Sequence, residues 1–489
     1  MLLKVKDINI STGGTLVAIL NHKDAKHLDL RGGDRILLKK GRKEIIVSID
    51  ISESSKGIRR GEIGLFEEVL DILKVKRREE ITIKPTHTPA SIEFIRRKLD
   101  GGKLSKKEIG IIIKDLTEND LTEVELSYFV SACYQNELSN EEIINFTNAI
   151  LKNGKKIKLG KKIIADKHCL GGVPNNRTTM LITPILAAAG LTIAKSSSRS
   201  ITSAAGTADT METLAKVSFT TEKIKKIVKK VHSCIIWGGA MELAGADDKL
   251  IKVRYPLRLD PKGLMLASIL AKKASVGSTH VLVDIPIGKT AKINSRREAL
   301  RLKKKFIQIG KKLGMKIEIM ISNGSQPIGN GVGPNLEAKD VLKILRREDG
   351  PQDLEKKSII MADKLFKLTK TNASAKKILE SGLAYKKMKE IIKLQSGKSS
   401  IKPSDLELAK YTYNFKANKK GKIKEIDNKK ITKAARIAGA PGDKESGIYL
   451  HKHLKDKINK NEKILTIYSN SKDKLKYAKK HAKNAIIIK

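Results

Sequence analysis

Hydrophobic and polar positions follow different patterns in successive parts of the chain. Over residues 1–84, short apolar or alternating runs, such as those at 36–38 and 45–51, are separated by Gly13-Gly14, Gly32-Gly33 and Gly41. Alternation over a few residues is typical of strands, and glycine pairs are typical of the turns between them. The pattern predicts a small β domain over residues 1–84.

Helical spacing replaces alternation after residue 85. Apolar residues recur at Ile92, Ile95 and Leu99, and Thr88-Pro89 predicts the cap and first residue of a helix. Capping boxes mark three later helix starts: Ser105 with Glu108, Thr122 with Glu125, and Ser139 with Glu142. We expect a helical domain over residues 85–160, joined in space by part of 220–275, which is also mostly helical in pattern.

Strands and helices alternate from residue 161 onward. Strand candidates at 162–165 and 191–194 flank a helix at 177–189, and later strands are expected at 280–285 and 316–321. A strand, helix, strand order predicts a parallel sheet with right-handed crossovers. The predicted fold class is therefore multidomain α/β: an N-terminal small β domain, a helical domain, a large α/β domain over 161–350, and a C-terminal α+β portion over 351–489.

The charge balance raises the question of nucleic acid. The chain carries 99 Lys and Arg against 53 Asp and Glu, a net charge of +46. Clustered cations bind phosphates by releasing counterions. Here, however, basic residues extend from Lys4 to Lys489, and aromatic residues make up only 4% of the chain, too few for obvious base-stacking platforms. We interpret the charge as a compositional bias and expect no specific nucleic-acid partner.

Other compositional features exclude further classes. With 40% hydrophobic residues the chain can bury several cores, and no apolar run reaches the roughly 18 residues of a membrane helix. Cys133, Cys169 and Cys234 are few and far apart, which favours a reducing cytoplasm over a disulfide framework. His451 and His453 lack partners at metal-ligand spacing, so we expect no metal site.

Two polar segments follow the strands of the predicted βαβ unit. The first, residues 166–173, contains Lys167, His168 and a glycine pair, and precedes a helix that begins near Thr178 and Thr179. In the second, residues 195–209, seven of the fifteen residues are Ser or Thr and one is Arg199. Ligands of open parallel sheets lie beyond the carboxyl ends of strands, where helix N-termini favour anions. The two segments predict a ligand with more than one phosphate-like group.

The second segment also carries a family resemblance. Residues 197–212, SSRSITSAAGTADTME, resemble the signature of thymidine and pyrimidine nucleoside phosphorylases, as does the Lys167-His168 segment with Gly171-Gly172. Further similarity lies at 267–273, at 327–329 with 335–337, and at 381–382. The extra β domain, and Asp260-Pro261 followed by Ser268, resemble the archaeal AMP phosphorylase branch of that family.

This resemblance implies a phosphorolytic pentosyltransferase. AMP and phosphate would give adenine and ribose 1,5-bisphosphate in nucleotide catabolism, with CMP and UMP as further possible substrates. Phosphate is a co-substrate, and no cofactor is implied. Members of this family have a helical domain that faces a larger α/β domain, and the resemblance implies the same arrangement here. It also implies a cytoplasmic homodimer or larger homo-oligomer without a membrane partner.

Site residues are carried over by similarity. The family's phosphate-binding positions fall on Lys167, Ser197, Thr207 and either Thr178 or Thr179. The positions that would contact AMP are Gly172, Ser198, Arg199, Ser200, Ile201, Thr202, Ser203, Thr207, Ser268 and Lys292. Asp260 falls where the AMP branch places its proton donor. An Asp needs burial to raise its pKa for such a role, and without the resemblance Asp260 before Pro261 is better interpreted as a helix N-cap.

Some questions stay open at the level of sequence. Cys169 stands where the nucleoside enzymes usually carry Ser, and a thiol is a weaker donor to phosphate. His168 either orients phosphate or substrate or is only a hydrogen-bonded structural residue. Two other functions compete with AMP phosphorolysis: a pyrimidine nucleoside (thymidine) phosphorylase, and a basic RNA- or polyanion-binding protein. The sequence does not rank AMP, CMP and UMP as substrates.

Overall fold

The computed structural model describes residues 1–54, 56–86, 88–200, 203–239, 246, 249–251, 253–254 and 259–489. The chain divides into two compact units, one of Met1–Asn153 with Gly245–Ala267 and the other of Gly154–Ala244 with Ser268–Lys489. The four-domain division expected from the sequence stays a prediction. Among the described residues, none of the helices has the length and apolar character needed to cross a membrane.

A closed barrel of six strands occupies the N-terminal part of the first unit, in the order β1-β5-β2-β4-β3-β6. Alternate residues of each strand point inward, and Leu20, Ile36, Leu38 and Ile49 are fully buried. The elements are β1 Leu2–Asp7, β2 Val17–Asn21, α1 His22–His27, β3 Arg35–Lys40, β4 Lys43–Ser52, β5 Glu62–Leu65, α2 Glu67–Leu73 and β6 Glu80–Pro85.

Four helices follow the barrel: α3 Ser91–Leu99, α4 Lys106–Glu118, α5 Glu123–Gln135 and α6 Asn140–Asn153. All three capping boxes are confirmed, since each cap hydroxyl accepts from the backbone three residues on and each Glu accepts in return. The expected cap at Thr88 is wrong. Ile92 N donates to Pro89 O in a turn that precedes the helix, so the cap position falls to Ala90.

The second unit is built on parallel strands. They are β7 Ala165–Cys169, β8 Ile193–Ser197, β9 Ser233–Trp237, β10 His280–Ile287 and β11 Lys316–Asn323. β10 lies between β11 and β7, β8 pairs with β9, and a parallel bridge from Ile164 to Thr192 joins the two groups. The helices packed around them are α7 Thr178–Ala188, α8 Thr207–Met211, α9 Thr221–Val231, and those at Arg296–Lys312, Pro334–Leu345, Gln352–Thr369, Ala375–Glu380 and Leu383–Leu394. A further helix spans Lys262–Ser275.

The strands of the βαβ unit begin two or three residues later than expected. β7 takes in Asp166, Lys167 and His168, and β8 takes in Ser196 and Ser197, all of which were expected in loops. Parallel pairing with β10 sets this register, in which Lys167 lies opposite Leu282. Asp166 fits inside the sheet because it pairs with Lys195 and Lys273, and Ser197 fits because its hydroxyl donates to Ile236 O. The strand β9 was not expected at all.

The C-terminal part has two small sheets and two helices. One sheet has the order β12-β15-β17-β13 and the other β16-β14-β18. The elements are β12 Gly331–Val332, β13 Tyr411–Lys416, β14 Gly421–Ile426, β15 Gly447–Leu450, β16 Lys457–Ile458, β17 Lys463–Ser469 and β18 Ile486–Ile488, a 3-10 turn at Pro403–Asp405, and the helices Asn428–Ala438 and Lys472–Ala482.

Candidate functional site

Lys167 lies at the centre of the candidate site. It projects from β7, its side chain is 1% exposed, and Nζ is 3.4 Å from the hydroxyl of Thr179 in the first turn of α7. Within the described residues its ammonium group forms no ion pair with a carboxylate. Burial lowers the pKa of Lys167 to about 8, although the negative charge of Asp284 opposes this shift more strongly than either Lys357 or Arg177 supports it. A buried cation without a paired carboxylate is a position suited to an anionic ligand.

The other buried cations nearby all have carboxylate partners. Lys357 lies 2.7 Å from Asp284 Oδ2, and Lys273 lies 2.7 Å from Asp166 Oδ2. Lys195 lies 3.4 Å from the second oxygen of Asp166. Although burial opposes ionisation, these lysines hold the pKa values of Asp284 and Asp166 below their usual range. Lys167 differs from these neighbours because no described carboxylate lies within ion-pair distance of its ammonium group.

Arg177, the cap residue of α7, connects the two polar segments. Its Nε pairs with Glu337, one terminal nitrogen donates to Thr207 Oγ1 at 2.7 Å, and the other donates to Ala205 O at 2.7 Å. Thr207 accepts this bond, so its own proton remains to be donated to an anion. The guanidinium therefore holds the N-termini of α7 and α8 together, beside Lys167 and Thr179.

The hydroxyl-rich segment is held in a tight turn. Asp209 accepts from the backbone N–H groups of Ser200 and Gly206 at 2.7 and 2.8 Å. A side chain at Gly206 would place its Cβ 2.5 Å from Ser198 O, so only glycine allows the two ends of the turn to approach. Among the expected contacts, Ile201 and Thr202 lie outside the described residues.

Several of the expected hydroxyls already have partners. Ser197 Oγ donates to Ile236 O at 2.9 Å, Ser200 Oγ to Ser203 O, and Ser203 Oγ to Ala205 O at 2.7 Å. Arg436, from the helix Asn428–Ala438, donates to Ser200 Oγ at 3.2 Å and to Ser203 O at 3.1 Å. The turn that the sequence assigns to nucleotide therefore has a second cation beside it.

Arg199 is less available for binding a ligand than the sequence suggests. Its guanidinium forms two bonds to Glu212, at 2.6 and 2.7 Å, and one to Asp209 at 3.2 Å, and it stacks over Trp237 at 4.6 Å. The hydrogen bonds to Glu212 raise the pKa of Arg199. This network orders the turn, and Glu212 neutralises much of the charge that Arg199 was expected to offer.

Gly172 and Lys292, expected from separate parts of the chain, lie together. Gly172 has a φ of +86°, and a Cβ there would lie 2.4 Å from Lys292 N. Glycine is required at this position by both the conformation and the approach of the second backbone. Lys292 is exposed, and Ser268 is 6% exposed.

Asp260 belongs to the first unit, whereas the residues above belong to the second. Its side chain is 39% exposed and lies 3.7 Å from Arg254. The burial that an acid role requires is therefore not observed around Asp260 in this structure. The capping interpretation also changes, because the helix begins at Lys262 and Pro261 O accepts its first bond, which gives the cap position to Pro261.

His168 and Cys169 are both uncharged at neutral pH. Burial and the positive charges of Lys273 and Lys195 lower the pKa of His168 well below its usual value. Burial raises the pKa of Cys169 to about 11, and its sulfur accepts from Asn176 at 3.0 Å. A neutral imidazole excludes a cationic phosphate contact at His168, and a protonated thiol is a poor nucleophile at Cys169.

Sequence reasoning missed the residues that support the site. Arg177, Asp284, Lys357 and the Asp166–Lys273 pair come from different elements, and no local pattern connects them. The local signal was the polar run 166–168 directly after a strand candidate, because charged residues there are costly unless buried partners exist. Among the described residues, no group of His, Cys, Asp and Glu side chains could hold a metal ion.

Comparison with protein families matches three parts of the chain. The helical bundle domain of a glycosyl transferase family matches residues 92–154, and the α/β domain of the same family matches 161–393. The C-terminal domain of pyrimidine nucleoside phosphorylases matches 422–489. These matches confirm a multidomain architecture with a helical bundle, a large α/β domain and a C-terminal domain.

Curated relatives match along nearly the whole chain. The AMP phosphorylase of Pyrococcus furiosus is 44% identical over 478 residues, which cover 96% of this chain and 94% of the relative. That of Pyrococcus horikoshii is 46% identical, with 97% and 95% covered. AMP phosphorylase 1 of Archaeoglobus fulgidus is 40% identical, with 94% and 92% covered.

A solved structure shares the fold at lower similarity. Anthranilate phosphoribosyltransferase from Thermus thermophilus aligns with a TM-score of 0.52 and 16% identity, covering 62% of this chain and 99% of that one. At this identity the likeness concerns the fold alone.

Proposed function

This chain belongs to the AMP phosphorylase family, and on that premise we propose that it cleaves AMP with inorganic phosphate to give adenine and ribose 1,5-bisphosphate. CMP and UMP are further candidate substrates. A pyrimidine nucleoside phosphorylase is not favoured, because the relatives that match nearly the whole chain carry the name AMP phosphorylase.

The observation that carries the proposal is the buried Lys167 ammonium. A buried ammonium that is only partly compensated, here by the more distant Asp284, is costly, and a phosphate dianion bound next to Lys167 would complete the compensation. Thr179 lies 3.4 Å from the same ammonium, and Thr207 retains a hydroxyl proton to donate. We assign the co-substrate phosphate to Lys167, Thr179 and Thr207, with Ser197 at the end of the neighbouring strand.

The turn over residues 198–206 supports a nucleotide rather than a nucleoside. The substrate 5′-phosphate is assigned to Ser198, Ser200 and Ser203, with Gly172, Ser268 and Lys292 as further contacts to AMP. Arg436 is bonded to Ser200 and Ser203 and brings positive charge to this turn. Arg199 serves mainly to order the turn through Glu212 and Asp209.

The reaction exchanges one bond at C1′ of the ribose. A phosphate oxygen attacks C1′, the C1′–N9 bond breaks, and its electron pair leaves with the adenine. Phosphate held beside C1′ stabilises the positive charge that develops on the sugar, and a proton delivered to the base stabilises the leaving group. We assign that proton to Asp260 and leave His168 as a neutral hydrogen-bonding group. No cofactor is needed, and assembly as a cytoplasmic homo-oligomer stays a prediction.

A substrate panel tests the proposed reaction. AMP, CMP, UMP, adenosine and thymidine are each incubated with the protein with and without phosphate, and free base is measured. We expect phosphate-dependent release of adenine from AMP and little release from the two nucleosides. Cleavage of thymidine or adenosine with AMP inert would favour the nucleoside enzyme, and no cleavage of any compound would favour a binding protein.

The acid assignment has its own test. Asp260→Asn should lose most turnover of AMP while retaining AMP affinity in a calorimetric titration, because an amide cannot deliver the proton. Asp71→Asn, which changes an exposed Asp of α2 in the same unit, serves as the matched control. Full activity of Asp260→Asn would remove Asp260 from the chemistry.

A further inference from the structure

Apart from the cations around Lys167, the second unit has another cluster of basic side chains in its C-terminal part. The strand β13 and the helix Lys472–Ala482 form an open cleft of about 380 Å³. Its lining residues are Lys410, Tyr411, Thr412, Tyr413, Lys472, Leu475, Lys476 and Lys479. This volume falls within the range of about 300–1,000 Å³ that is usual for sites holding small ligands.

The cleft gathers positive charge without compensation. Lys410, Lys472, Lys476 and Lys479 are all exposed, and within the described residues none of the four forms an ion pair with a carboxylate. Asp473, the one acidic residue of the helix, does not line the cleft. Like charges three and four residues apart on a helix repel each other. Cations collected at this cost are complementary to an anionic ligand.

Aromatic rings stand among these cations. Tyr411 and Tyr413 alternate along β13 and so lie on one face of the strand, and Phe415 continues the row with its ring 5.0 Å from that of Tyr413. Lys479 lies 4.0 Å from the Tyr413 ring centre, and Lys472 lies 5.4 Å from that of Tyr411. Aromatic side chains, which are few in the chain as a whole, are therefore concentrated here beside lysines.

Protection of an exposed strand explains only part of this arrangement. β13 is the edge of its sheet, and edge strands commonly carry lysines that discourage pairing with another chain. Lys410, beside the strand, fits that role. The other three lysines lie on the helix and line the cleft, where Lys472 and Lys479 contact tyrosine rings rather than block a backbone edge.

We propose that this cleft binds single-stranded nucleic acid without sequence preference. Lysines that follow a phosphate backbone and aromatic side chains that stack on bases are the two components of such sites. Binding here is separate from AMP phosphorolysis, because no residue of the cleft belongs to the candidate active site. It assigns a ligand to part of the +46 charge that the phosphorolysis site does not use.

Fluorescence anisotropy with a labelled eight-nucleotide oligouridylate tests the proposal on the full chain. The site variant is Lys472→Gln, Lys476→Gln and Lys479→Gln together. Its matched control removes the same charge from exposed positions of the helix Arg296–Lys312, by Arg301→Gln, Lys303→Gln and Lys304→Gln. We expect at least a tenfold loss of affinity in the site variant and less than twofold in the control. The slope of log K against log salt concentration should be shallower by about 2 in the site variant, since each of the three lost phosphate contacts on a single strand contributes about 0.7 to that slope.

A second comparison separates bases from bare charge. Tyr413→Leu keeps an apolar side chain but removes the stacking ring, so it should weaken oligouridylate severalfold and leave inorganic polyphosphate of equal length unchanged. Equal losses in the site and control variants would overturn the proposal in favour of a general electrostatic effect. If oligouridylate and polyphosphate bind equally well and Tyr413→Leu weakens neither, the proposal is overturned, because the cleft would then bind any polyanion. AMP phosphorolysis by the site variant, measured in parallel, reports that the unit is folded.

Discussion

At the scale of single residues, buried cations and their partners organise the second unit. Lys357, Lys273, Lys195 and Arg177 each have a carboxylate within ion-pair distance, whereas Lys167 has none among the residues that the structure describes. The protein therefore keeps one interior ammonium at a cost to stability. Such a cost is typical of ligand-binding positions, where the ligand supplies the missing charge.

Lys167→Met should stabilise the unit in the absence of phosphate. Burial lowers the pKa of Lys167 to about 8, from 10.5 in the unfolded chain. The charged folded state is therefore disfavoured below pH 8, by about 3 kcal/mol at roughly 1.4 kcal/mol per pKa unit, and the penalty disappears above pH 10.5. Urea unfolding at pH 7, followed by the fluorescence of Trp237, the single Trp, should show a higher free energy of unfolding. Lower stability would mean that Lys167 is already compensated.

The same pKa predicts a pH dependence of phosphate use. The ammonium form binds phosphate, so kcat/KM calculated for the phosphate dianion should be level below about pH 8 and fall above it as Lys167 loses its proton. Lys167→Arg keeps its charge throughout this range and should abolish the fall even if its rate is lower. A decline that persists unchanged in Lys167→Arg would assign the titration to another group.

Asp166→Asn should strongly destabilise the unit. Asp166 is fully buried and is the carboxylate partner of both Lys195 and Lys273. Removing one partner of a buried pair leaves uncompensated charge and costs about 3–5 kcal/mol. Burial lowers the pKa of Lys273, so the loss should be smaller at pH 9, where this lysine is neutralised more readily.

The matched control for that substitution is Glu380→Gln. It removes the exposed partner of Lys376 in the same unit and should change the free energy of unfolding by less than about 0.5 kcal/mol. A similar loss for both substitutions, or a loss for Asp166→Asn that does not vary with pH, would contradict the charge argument.

At the scale of elements, backbone contacts set the distance between the polar segments. The turn after β8 closes because Gly206 lets the backbone of Ser198 and Ser200 approach it. Gly206→Ala would push these apart and displace Thr207 and Ser198. A displacement of about 1 Å can cost on the order of 10²-fold in rate.

We therefore expect Gly206→Ala to lose on the order of 10²-fold in kcat/KM for AMP while the chain remains folded. Gly442→Ala is the matched control, since its Cβ would meet nothing closer than 3.8 Å and its backbone conformation is ordinary. Near-normal kinetics in Gly206→Ala would show that the turn adapts without affecting the site.

Elements with clear local signals were predicted well. The capping boxes located α4, α5 and α6, and α9 lies within the stretch 220–275 that was expected to be mostly helical. The edges of β7 and β8 were misplaced because their charged and hydroxyl residues resemble loop residues. Their strand conformation depends on pairing with β10 and β9, which lie far away in sequence.

At the scale of the whole molecule, charge acts beyond any single contact. A net charge of +46 raises the local concentration of anions, an effect that salt screens. Raising sodium chloride from about 50 to about 500 mM should therefore lower kcat/KM for AMP severalfold with a much smaller change in kcat. Equal loss in both parameters would point to an effect of salt on the catalytic step.

The sequence by itself determined the family, the succession of β, helical and α/β segments, and the two polar segments that follow β7 and β8. These features are carried by local patterns and by one long motif, so they can be read without the fold. The tertiary structure decided which of those side chains are available. It paired Arg199 with Glu212, left Lys167 without an ion-paired carboxylate in the described part of the chain, and placed Arg177 between α7 and α8. It also gathered lysines from one helix around the tyrosines of β13. Burial and charge pairing depend on residues distant in sequence, and only folding brings these together.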